Sequence, residues 1–137
     1  MAAHSLPSHV ADFVCERIHS IEQLEVVLLL HRTVDESWTV ERIAQALRIA
    51  ESNAASALGH LTSRGLLERD EQLGPGFRYA PARQELAQSV GELVELYPTA
   101  RVEIVMWISR CAMDRIRTAH VRAFAQAFLL KPPKGDR

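Results

Sequence analysis

Between residues 39 and 81 the apolar spacing switches from helical to strand-like, and that switch limits what the rest of the chain can build around it. Thr39 is suited to cap a helix, and Glu41 in the first turn complements the positive end of the helix dipole. Ile43, Ala44 and Leu47 then share one helical face. Arg48, Ile49 and Ala50 make a turn, with the apolar Ile49 directed inward. A second helix carries Ala54, Ala57, Leu58 and Leu61 inward and stops at Gly65, the residue best suited to a left-handed cap. Residues 66–69 and 77–80 read as two short strands around the polar turn 70–76, which ends Gly74-Pro75-Gly76.

This order of elements, with the junction Leu58-x-x-Leu61-x-x-Arg64-Gly65-Leu66-Leu67, resembles the winged helix-turn-helix domains of bacterial transcription regulators, the MarR-like and related groups. The resemblance covers residues 20–82. It implies a recognition helix at residues 50–64 for the major groove of double-stranded DNA. A wing at residues 70–78 would then meet the backbone or the minor groove. The expected fold class is mainly α with a small two-stranded β-hairpin.

The chain of 137 residues is long enough for one core with extensions. The expected divisions are a helical extension at 1–19, the winged unit at 20–82, a helical dimerisation region at 83–130 and a disordered basic tail at 131–137. The net charge of −1 hides an uneven distribution. Residues 1–38 hold two basic and six acidic side chains, and residues 101–137 hold eight and three. Two cysteines far apart, Cys15 and Cys111, make no disulfide framework; they are expected to be buried, inert thiols in a reducing cytosol. No apolar run is long enough for a membrane span, and residues 1–13 lack the pattern of a secretory signal. The expectation is a cytoplasmic protein.

In chain order, residues 1–8 are expected to be loose. Val10, Phe13, Val14 and Ile18 then recur at helical spacing. Ser20 with Gln23 matches a capping box and opens a helix to about Arg32, whose Leu24, Val27, Leu28, Leu30 and His31 face is apolar. Trp38 is expected to pack at the hairpin edge and to pair there as a one- or two-residue strand. After Pro81, a heptad seam of Leu86, Val90, Leu93, Tyr97, Ala100, Ile104 and Trp107 runs through Pro98, where a kink or break is expected. The economical reading makes Leu86, Val90, Leu93, Tyr97, Ile104 and Trp107 a homodimer interface. The alternative is that this segment folds back on residues 21–32. A last helix uses Ile116, Val121, Phe124 and Phe128, with Arg115, Arg117 and Arg122 on its polar side.

The candidate DNA contacts are Ser52, Asn53, Ser56 and His60 on the outward face of the second helix, Arg64 at its end, and Arg69 and Arg78 in the hairpin. Asn can bond adenine in a bidentate fashion, and Ser and Arg can reach bases or phosphates. No Arg or Lys lies between Glu51 and Ser63, and the cap position holds Ala50. The alternative role for Arg78 is a cross-strand pair with Glu68 or Glu71. The six histidines show no metal spacing, and no catalytic constellation or phosphate loop is legible, so neither cofactor nor enzyme chemistry is expected. No residue marks an effector pocket. Two functions remain: a dimeric DNA-binding regulator, and a winged-helix module for protein–protein contact that has lost its DNA face.

Overall fold

The computed structural model describes residues 6–72 and 74–130, with backbone alone for 128–130. The expected tail at 131–137, the first five residues and the Phe128 side chain lie outside the described residues. The fold is mainly helical with one two-stranded antiparallel hairpin, in the order α1 (Ser8–Arg17), α2 (Ile21–Arg32), α3 (Val40–Leu47), α4 (Glu51–Ser63), β1 (Leu67–Arg69), β2 (Phe77–Tyr79) and α5 (Gln84–Leu130). No helix among the described residues is long and apolar enough to cross a membrane.

Local signals set most of the boundaries. The Ser20 hydroxyl accepts from the Gln23 backbone N–H, while the Gln23 side chain reaches past the cap to accept from His19 N–H at 2.7 Å. Thr39 caps α3 by accepting from Arg42 N–H at 3.1 Å. Both helices of the central pair end in a left-handed residue followed by a six-to-one backbone bond, Ile49 to Ala44 and Leu66 to Leu61. At Gly65 that conformation is free of a Cβ penalty, whereas in α3 it falls on Arg48, at φ 59°. In the hairpin Leu67 pairs with Tyr79, Glu68 with Arg78 and Arg69 with Phe77. Trp38 adds a bridge on the outer edge of β2, exchanging both backbone bonds with Phe77. Its indole N–H donates to the Thr33 hydroxyl.

One core joins all five helices. Val10, Val14 and Ile18 of α1 and its exit share one buried cluster with Leu24, Leu30, Ile43, Leu58 and Leu61, and among the described residues no polar or charged side chain is buried with them. Leu6 is buried, α1 starts at Ser8, and Val10, Phe13, Val14 and Ile18 join the same core. Val26 and Leu29 are buried as well, so α2 is covered on more than the single face its spacing marks.

The heptad seam is where structure and expectation part. Leu86, Val90, Leu93 and Ile104 are buried within the subunit, and Tyr97 and Trp107 are half-buried there. Within the subunit their main cover is α1 rather than α2. His9 pairs with Glu92, and Phe13, Glu16 and Arg17 face Arg83, Leu86 and Ser89 across a groove. The Trp107 indole donates to the Ala11 carbonyl, and Cys15 is joined to Cys111. The first part of α5 thus runs against α1 and the second part runs with it. The turn between them lies at Ala100, whose φ and ψ of −119° and 27° leave the helical region two residues after Pro98. Beyond that turn the helix is unbroken to Leu130, so no separate last helix exists.

Candidate nucleic-acid interface

α4 lies between two neighbours, and they decide which of its side chains remain free. Ala54, Ala57, Leu58 and Leu61 face the core. Toward the hairpin, Ala55, Gly59 and Thr62 border a groove of about 500 Å³ that Phe77, Pro75 and Arg69 close from the other side. On the opposite flank stand α1 and the start of α2. The strip between those neighbours carries Ser52, Ser56, Gly59 and Ser63, all exposed. Their small size comes straight from the sequence, and it leaves the α4 backbone open to close approach.

The predicted contacts separate accordingly. Ser52 and Ser56 stand on the open strip as expected. Asn53 is exposed but sits toward α2, its amide 3.4 Å from the Glu22 carboxylate. His60 is not an outward residue. It is half-buried against α1, its Nε2 donates to the Arg17 carbonyl at 3.2 Å, and its ring lies 4.5 Å from that of His19. The helical period makes His60 a non-core position, and only the arrival of α1 on that flank covers it.

The hairpin arginines are engaged. Arg78 donates to the Glu68 carboxylate at 2.9 Å, directly across the strand pair, and Arg69 holds Glu71 at 3.1 Å while lying over the Phe77 ring. All four side chains remain about half exposed or more, so these pairs are weak and exchangeable. Tyr79 packs edge-on with His31, and burial raises its phenol pKa.

Positive charge instead collects on the far flank of α4, which the sequence reading left unassembled. Arg17 donates to the Arg64 carbonyl at 2.6 Å and so ties the end of α1 to the end of α4. His19 donates to the Glu16 carbonyl at 3.0 Å. Arg115 reaches from α5 to the Cys15 carbonyl at 3.1 Å. Burial, with Arg115, His60 and Arg64 nearby, pushes the His19 pKa below its ordinary 6.5, and burial with Arg64 and Arg115 does the same to His60.

The cysteines are not the separate inert thiols expected from their spacing. Cys15 and Cys111 form a disulfide with Cα atoms 5.6 Å apart, across a sequence separation of 96. The reason is the parallel run of α1 beside the second part of α5: Ala11 meets Trp107, and four residues on in both helices Cys15 meets Cys111. Among the described residues no group of His, Cys, Asp or Glu is placed to hold a metal. Comparison with known protein families, with curated proteins and with solved structures finds no match for this chain.

Proposed function

We propose that the chain is a DNA-binding transcription regulator of winged helix-turn-helix type. In this reading α3 and α4 form the helix-turn-helix, α4 is the recognition helix and the β1–β2 hairpin is the wing. The observation that carries it is the open strip of α4, where Ser52 and Ser56 are exposed and Ser63, also exposed, borders the groove toward the hairpin. A helix kept free of packing on one face, with short hydrogen-bonding side chains, fits a major groove about 12 Å wide. Sequence preference would come from Ser52, Ser56 and the backbone of α4, with Arg69 and Arg78 exchanging their carboxylates for phosphates. The active form is a dimer that presents two recognition helices to successive major grooves.

A second reading also has an observation behind it. Both hairpin arginines are held by glutamates, α4 bears no Arg or Lys, and the far part of α5 exposes Val102, Met106, Met113, Ile116 and Phe124. Those features favour a module that binds protein alone.

Fluorescence anisotropy of duplexes from the protein's own upstream region, across a salt series, separates the two. For the regulator, binding weakens with salt over several ion equivalents. Ser56→Glu, at an exposed helical site, then weakens it at least about tenfold with unchanged circular dichroism. Absence of binding at low salt selects the protein-contact module.

A further inference from the structure

We propose that the ends of α1 and α4, together with the middle of α5, form a binding site for a phosphate group. Five basic side chains, Arg17, His19, His60, Arg64 and Arg115, are brought together there from sequence positions spread over nearly the whole chain. Among the described residues no carboxylate forms an ion pair with any of the five. The nearest acidic groups border the cluster without pairing with it: Glu16 lines a groove with Arg17 and Arg83, Glu22 meets Asn53, and Asp114, beside Arg115, pairs with Arg117. Like charges gathered without a counter-ion oppose one another and favour an anion.

The geometry also leaves the right groups unspent. Among the described residues the Arg64 guanidinium makes no hydrogen bond or ion pair, and it lies close enough to His19, His60 and Arg115 to act on all three. Arg115 uses one nitrogen on the Cys15 carbonyl, which leaves further donors of its fork for an oxyanion. A carbonyl oxygen can only accept, so each histidine carries its proton on Nε2, committed to the Glu16 or Arg17 carbonyl. The free nitrogen of each ring is therefore Nδ1. Burial and the nearby arginines disfavour a second proton on either ring and hold both pKa values below 6.5. A bound phosphate reverses that balance: each imidazole takes up a proton from solvent and Nδ1 becomes a donor, so a phosphodiester, whose charge does not titrate in that range, is held more tightly as pH falls through the histidine range.

Such a phosphate has two sources, the backbone of a nucleic acid lying along α4 or a free phosphorylated compound. The site does not depend on the DNA-binding reading, since inorganic phosphate alone probes it. The test follows the imidazole signals of His19 and His60 by NMR while inorganic phosphate is added to the full chain at pH 6. The expected result is a shift of both signals and a higher titration midpoint for each, with His31 and His120 unmoved. In Arg64→Gln, an exposed site that leaves the fold intact, phosphate affinity falls about tenfold. A duplex that moves the same two signals, with a salt slope that drops by about one in Arg64→Gln, identifies the nucleic-acid backbone as the source. Phosphate that moves them while the duplex does not identifies a free ligand. The proposal is overturned if neither phosphate nor duplex moves His19 and His60. It is equally overturned if duplex binds through α4 with those signals unchanged, and that result leaves the regulator reading standing.

Discussion

Arg48 and Gly65 perform one task with unequal residues. Each takes the left-handed conformation that ends a helix, and each is followed by an inward apolar residue whose N–H returns to the helix. For a side chain with a Cβ that conformation costs about 1 kcal/mol or more. Gly65→Ala should therefore lower stability by about 1–2 kcal/mol, while Arg48→Gly should leave it unchanged or raise it by up to about 1 kcal/mol. Urea midpoints of the two variants check both signs. The paired histidines carry a different prediction. Because His19 and His60 have pKa values below 6.5 in the folded chain, the unfolded chain binds more protons as pH falls through 6.5. Stability should be full above that value, decline below it, and level off once the folded-state values are passed. A urea midpoint measured from pH 7.5 to 5 shows the decline, and His60→Gln should flatten it. Without such a slope in the unmutated chain, the environment described for the pair is incorrect.

Among the elements, α1 has the most consequential neighbours. It lies in the bend of α5, held on one side by His9 with Glu92 and on the other by the Cys15–Cys111 bond. A cross-link between residues 96 apart removes much freedom from the unfolded chain, worth about 4.7 kcal/mol in the chain-entropy account. Reduction, or Cys111→Ser, should lower stability by about that amount. Urea unfolding with and without reductant measures the difference, and a thiol count of zero in the native oxidised chain establishes the bond. Much of this region was readable from spacing: Val10, Phe13, Val14 and Ile18 are all buried, and Pro98 stands two residues before the turn. What spacing left undetermined was the identity of the partner. A seam of Leu86, Val90, Leu93 and Ile104 presents the same period whether α1 or a second copy covers it. Likewise, Cys15 and Cys111 meet because of the sense in which two helices run, which no local pattern records.

For the whole molecule, covering the seam from within moves the question of self-association to the other face of α5. Val102, Met106, Met113, Ile116, Val121 and Phe124 are 56–66% exposed beyond the bend. They lie within one side of a helix that spans roughly 33 Å from Val102 to Phe124 at 1.5 Å per residue. Met113 stands midway between Val102 and Phe124, which are equally distant from it along the chain. An antiparallel copy centred on Met113 would set Val102 against Phe124 and bring Glu103 toward Arg122 of the other helix. Light scattering at micromolar concentration should give a dimer for the native chain and a monomer for Met113→Glu. Circular dichroism should be unchanged, because Met113 is 62% exposed in its own subunit. A monomeric native chain would remove the dimer from the proposed function and leave α4 to meet DNA singly.

The sequence by itself determined the local architecture: the Thr39 cap, the inward Ala54, Ala57, Leu58 and Leu61, the stop at Gly65, the hairpin and the interruption near Pro98. Each depends on interactions within a few residues, where helical or strand period, a capping hydroxyl or a missing Cβ decides the outcome. Only the tertiary structure decided that α1 would cover the heptad seam and that His60 would turn from the open strip to His19. It also decided that Cys15 would reach Cys111, and that Arg17, Arg64 and Arg115 would share one flank of α4. Those outcomes join residues that an apolar pattern marks only as covered or free, and the pattern carries no record of which surface does the covering.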